Sequence, residues 1–234
     1  WTRLVFFKRC WAQLRGRSTE FEAYTQRKFA LALGAVRGAT PTDSSGGKFV
    51  ATMREGVAKM GSDRNAARAL FEQARAMFPE YGGEDGPSWY LAEMARAAND
   101  TTRALTFVEY VTSRNETAWE ANMMEADLRE ARGDKTGAIR ALDRLNWIWP
   151  YDPLVHVRLA TLSAAQGDRA RAVLERRAII ATGPTDLLDA RYELARALRD
   201  AGDIASARRE LLQVLEEAPS FEKAQALLLE LRGK

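Results

Sequence analysis

A two-residue motif returns along this chain at nearly constant intervals, and that recurrence restricts the fold more than any bulk property does. Gly133-Asp134, Gly167-Asp168 and Gly202-Asp203 lie 34 and 35 residues apart, and Asn99-Asp100 precedes the first of them by another 34. Glycine adopts the left-handed backbone conformation that ends a helix, and asparagine accepts it nearly as well. Each pair is therefore expected to close one helix and open the next.

The residues between the pairs repeat in phase. An alanine follows the first member of each pair by five residues, at Ala104, Ala138, Ala172 and Ala207. A small side chain there lets two helices approach closely. Four positions further stand Val108, Leu142, Arg176 and Leu211. Pro150, Pro184 and Pro219 fall 17 residues after their glycines and end the second helices. Ahead of the turns come Leu91-Ala92, Leu159-Ala160 and Leu194-Ala195. An earlier unit carries Ala67, Phe71, Ala74 and Pro79, although its first helix, near Phe49 to Met60, matches poorly. Extra residues in the first gap fall in the turn-rich stretch Gly82 to Pro87.

This pattern resembles the tetratricopeptide repeat (TPR) family. The resemblance implies an all-α fold, a right-handed α-solenoid of about five helix pairs with a C-terminal capping helix. Repeats are expected at 48–80, 85–118, 119–152, 153–186 and 187–220, with the cap over 221–232. The cap's apolar positions are Phe221, Ala224, Leu227, Leu228 and Leu231, and its polar face shields the end of the stack. Two departures are expected to weaken core packing in the third and fourth units. Arg176 stands where a large apolar residue belongs, and Glu125 precedes Ala126 where leucine is usual.

Residues 1–37 fall outside the repeat and read as a basic amphipathic helical segment, followed by a flexible linker over 38–47. Leu4, Phe7, Trp11 and Leu14 share one helical face, flanked by Arg3, Lys8, Arg9, Arg15 and Arg17. The net charge of +3 is unevenly spread: residues 1–50 hold nine basic and three acidic residues, 9 − 3 = +6, which leaves −3 for the remainder. A basic helix with Trp and Phe suits a membrane interface or a membrane-embedded complex. The same face suits a cap on the first repeat. The start at Trp1 rather than Met is expected of a processed or trimmed product.

Catalytic and metal motifs are missing from the sequence. Gly46-Gly47-Lys48 is followed by Phe49, not by the Ser or Thr of a phosphate loop. His156 is the only histidine and Cys10 the only cysteine, which excludes a disulfide within the chain and leaves too few ligands for a zinc site without carboxylates. Glu84 and Asp85 are too few, at the wrong spacing, for a calcium loop. His156 reads as structural or surface. Trp147, Ile148 and Trp149 read as packing between repeats, with ligand stacking as the alternative. No cofactor is called for.

What the resemblance does imply is a concave groove lined by the first helix of each pair. Its candidate partner-binding residues are Trp89, Glu93 and Arg96, then Glu120, Met123, Asp127 and Glu130, then Val157 and Thr161, and finally Tyr192, Arg196 and Arg199. Such a surface is acidic in the middle and basic toward the C-terminal end. Trp, Tyr and Arg are frequent interface anchors. The Lys and Asn of a chaperone-tail carboxylate clamp are absent from these places. The expected function is a non-catalytic bacterial scaffold that binds a protein partner, within a membrane-associated assembly. The alternative is the C-terminal non-catalytic TPR domain of a larger bacterial enzyme, a metallopeptidase or a membrane glycosyltransferase. Nucleic acid is not an expected partner, because no reading motif accompanies the basic N-terminus.

Overall fold

Each recurring pair does two jobs in the structure, and together they set the helix boundaries. Gly133, Gly167 and Gly202 have φ of 74°, 84° and 85°, and Asn99 takes the same region at 58°. The turn lets the next N–H reach back five residues: Asp134 to the Arg129 carbonyl, Asp168 to Ser163 and Asp203 to Leu198, each at 2.9 Å. The aspartate side chain then caps the following helix. Asp100, Asp134, Asp168 and Asp203 accept from the backbone N–H of Arg103, Gly137, Arg171 and Ser206 at 2.8–3.0 Å.

The computed structural model describes residues 45–233. Eleven α-helices and no strand occur among them. They are α1 (Ser45–Lys59), α2 (Arg64–Met77), α3 (Pro87–Ala97), α4 (Thr101–Arg114), α5 (Trp119–Ala131), α6 (Lys135–Ile148), α7 (Pro153–Ala165), α8 (Arg169–Ala181), α9 (Leu187–Asp200), α10 (Ile204–Glu217) and α11 (Glu222–Glu230), followed by a 3-10 turn, Leu231–Gly233. Helices pack on their sequence neighbours, α1 on α2, α3 on α4, α7 on α8 and α9 on α10. No helix among the described residues is long and apolar enough to cross a membrane. The segment 1–37 and the first part of the expected linker lie outside the described residues. The linker's last three residues do not: α1 starts at Ser45, because Phe49 and Met53 need a helix to reach the core.

The chain divides into two compact units, Trp1–Met124 and Glu125–Lys234. In the first, Phe49, Met53, Ala67, Phe71, Ala74 and Leu91 form one core cluster. The poorly matching first helix is built around Gly56. A Cβ there would lie 2.7 Å from the Phe71 ring, so only glycine lets that ring seat against α1. Tyr90 of α3 stacks on Phe71 with centroids 4.9 Å apart. The Gly82 to Pro87 stretch has a structural task, since Glu84 accepts a 2.7 Å hydrogen bond from the Ala121 N–H in the first turn of α5.

In the second unit, Leu142, Leu145, Val155, Leu159, Leu211 and Val214 are fully buried. Burial of each such side chain contributes roughly 1.5–3 kcal/mol. Polar side chains also cross between paired helices, three times at a separation of 19 residues. Glu125 accepts from Arg144 at 2.5 Å, His156 Nδ1 meets Glu175 at 2.7 Å, and Arg191 donates to Glu210 at 2.8 Å. Glu125 is thus buried with partners, because Arg129 also donates to it at 2.8 Å. Arg176 lies 3.4 Å from Glu193 of α9. Both departures from the repeat pattern are ion-pair positions rather than gaps in packing.

Candidate functional site

The candidate residues lie on the first helices of the pairs, and the two units supply separate stretches of surface. In the first unit, α3 begins at Pro87, whose fixed φ suits a first helical position. Trp89 and Glu93 are half-buried along it, and Arg96 is exposed. Glu93 and Arg96 line a cavity of about 410 Å³ with Met60, Arg64, Met94 and Ala97. Burial raises the Glu93 carboxyl above its ordinary range, and Arg96 offsets part of that rise. Glu120, exposed, and Met123, half-buried, sit on the early turns of α5.

In the second unit, Asp127 and Glu130 are exposed on the later turns of α5. The surface there is less acidic than the sequence suggests, because Arg158 of α7 pairs with both. Its Nη2 lies 2.8 Å from Asp127 and 2.7 Å from Glu130. That arginine was missed as a site residue. It lies between Val157 and Leu159 with no motif to mark it, and only its partners give it a role.

The corresponding place between α7 and α9 is different. In the repeat register Thr161 and Ala164 occupy the positions of Asp127 and Glu130, and Glu193 occupies that of Arg158. No ion pair joins α7 to α9 among the described residues. A cavity of about 280 Å³ opens instead, floored by Ala160, Ala164, Ala172 and Ala197. Thr161, Arg169, Arg176, Glu193, Arg196 and Asp200 complete its wall. The structure therefore brings Thr161 and Arg196 to one cavity. It does not bring Val157, Tyr192 or Arg199 there. Tyr192 faces Phe221 with centroids 5.8 Å apart, and Arg199 pairs with Asp200 at 2.9 Å and with Glu230 of α11 at 3.4 Å.

The remaining chemistry-bearing residues are structural or surface. His156 is buried, and the Pro150 carbonyl can only accept, so Nε2–H donates to it at 3.0 Å while Nδ1 lies 2.7 Å from Glu175. The packing role expected of Trp147 is not what the structure shows, since the residue is 78% exposed. Trp149, Tyr151 and Leu154 are exposed as well, and Trp149 meets Tyr151 edge-to-face at 5.8 Å. These residues follow the end of α6, where the chain leaves one pair for the next.

Residues 189–220, from α9 to just beyond α10, match the tetratricopeptide repeat family model. Among solved structures, a MamA crystal structure is 17% identical over 76% of this chain and 96% of that one, with a TM-score of 0.55. YrrB, described as a TPR protein with an unusual peptide-binding site, is 12% identical over 75% of this chain and 89% of its own, with a TM-score of 0.55. Residues 41 to the end of MamA from Desulfovibrio magneticus RS-1 give 12% identity, 76% and 99% coverage and a TM-score of 0.52. Identities this low speak to fold alone. No curated protein sequence matches the chain. Residues 189–220 thus carry the tetratricopeptide-repeat signature, and the helix-pair fold is shared with these solved repeat structures.

Proposed function

We propose that this chain is a non-catalytic scaffold that holds a protein partner on the exposed face of its first helices. The observation that carries this reading is the unbridged seam between α7 and α9. There the alanine-floored cavity leaves Thr161 and Arg196 accessible, whereas Arg158 closes the neighbouring seam. Residues 48–232 are the binding module in this reading, with 1–37 as a separate segment. Trp89, Tyr192 and Arg196 are the residue types that most often anchor interfaces. Substituting all three with Ala is expected to weaken binding of the partner recovered from native lysate by roughly 2 kcal/mol or more, measured by calorimetric titration. Unchanged affinity in a still-helical triple variant moves the interface off this face.

The same reading places residues 1–17 against a membrane. Its support is the apolar face of Leu4, Phe7, Trp11 and Leu14 beside Lys8 and Arg9. Burying each apolar side chain contributes roughly 1.5–3 kcal/mol, and each cation about 1 kcal/mol on anionic lipid. Co-sedimentation with anionic vesicles, lost on deleting 1–17, is the expected result. A chain that ignores vesicles but melts earlier after the deletion assigns the segment to capping.

A further inference from the structure

The cavity between α7 and α9 has an unbalanced charge. Arg169, Arg176 and Arg196 line it, against Glu193 and Asp200. Asp200 already accepts from Arg199 at 2.9 Å. Glu193 is shared, with one oxygen 2.8 Å from Arg196 Nη1 and the other 3.4 Å from Arg176 Nη2. The Arg169 guanidinium has no ion-pair partner among the described residues. Each guanidinium carries five N–H donors in a planar fork that matches a carboxylate. One resident carboxylate leaves most of those donors unused. The position of Glu193 also shows that forks from α8 and α9 converge on a single anion. Four alanines form the floor, so nothing bulky keeps an extended chain from approaching the forks.

We propose that this cavity recognises an acidic stretch of the partner's polypeptide, with a partner carboxylate received among Arg169, Arg176 and Arg196. The assignment rests on the first-helix face being the binding face, and it names the chemistry of what binds there. Glu193 then acts as an internal competitor that occupies two of the three forks until the partner carboxylate arrives.

The test uses the full chain and a fluorescein-labelled ten-residue peptide alternating Glu and Ala, with Gln-Ala and Lys-Ala versions as controls. Fluorescence anisotropy should show the Glu peptide binding at least tenfold tighter than the Gln peptide. That preference should shrink as NaCl rises from about 50 mM to about 500 mM. Replacing Arg169, Arg176 and Arg196 together with Gln should abolish it. Glu193→Gln should tighten binding roughly threefold or more, because it frees two forks. This gain of affinity is a readout that a damaged fold cannot imitate. Equal binding of the Glu and Gln peptides, or a Glu193→Gln variant that binds no tighter, overturns the assignment. If peptides bind without charge preference and Thr161→Trp blocks them, the carboxylate assignment fails while the first-helix face stands. If no peptide binds and the native partner ignores the Trp89, Tyr192 and Arg196 substitutions, both fail.

Discussion

Arg158 of α7 donates two hydrogen bonds to a single oxygen of Glu130 on α5, at 2.9 and 2.7 Å. The arginine side chain is only 14% exposed, so the pair is better shielded than an ordinary surface ion pair. Replacing Arg158 with Ala is expected to cost about 1 kcal/mol in urea unfolding, with the loss reduced in about 0.5 M salt. A double-mutant cycle with Glu130→Ala isolates the pairwise part. No salt dependence, or a loss within error, removes Arg158 as the link between these helices.

His156 and Glu175 carry more weight because both are buried. His156→Ala leaves Glu175 with Arg171, whose Nε is 3.5 Å away, as its remaining ion-pair partner. The expected cost is about 3 kcal/mol, since a buried charge loses its closest partner. Removing both His156 and Glu175 should cost less than the sum of the single changes. Equal additive losses contradict a coupled pair.

Two carboxylates give opposite pH signatures. Burial raises the Glu84 carboxyl, and the Ala121 N–H offsets part of that rise. Its contribution is present below the ordinary glutamate range and is lost as pH rises through the raised folded value. Asp134 is held low by the Gly137 N–H and then by Arg129. Its contribution is present above the ordinary aspartate range and is lost as pH falls through the lowered folded value. Glu84→Gln keeps an acceptor for Ala121 without the buried charge, so stability at about pH 7 should hold or rise. Glu84→Ala should lower it by about 1 kcal/mol through loss of the helix-end bond. Urea midpoints across pH for the two Glu84 variants and Asp134→Asn check both signs.

The repeat was legible because its turns are local chemistry. A left-handed residue followed by a capping aspartate is set by two side chains, and so is its position in the chain. The first helix of the first pair was harder to read. Its small residue is Gly56, and the seating of Phe71 against it depends on residues fifteen apart. At the candidate site, Thr161 and Arg196 could be placed by carrying the family resemblance onto the repeat position by position, and both line the cavity. Arg158, Arg169 and Arg176 could not, because their significance lies in what stands opposite them. Glu125 and Arg176 looked like packing faults for the same reason, their partners being distant in sequence.

Trp147 tests the misread part directly. An indole buried between repeats would cost roughly 3–5 kcal/mol when cut to Ala, whereas one at 78% exposure should cost no more than about 0.5 kcal/mol. Urea unfolding of Trp147→Ala separates the two, and a loss above about 2 kcal/mol contradicts the exposed position.

The central claim, a partner held on the first-helix face, is tested most directly by photo-cross-linking. A photoreactive residue is placed at Thr161, on the cavity wall of α7, and in a second variant at Leu212, exposed on α10. Each full-length variant is irradiated in its native lysate, and the cross-linked partner is identified and quantified. The account predicts one dominant partner captured from position 161 and little from 212, with capture from 161 suppressed by the Trp89, Tyr192 and Arg196 substitutions. The same partner captured from 212 and not from 161 would contradict it.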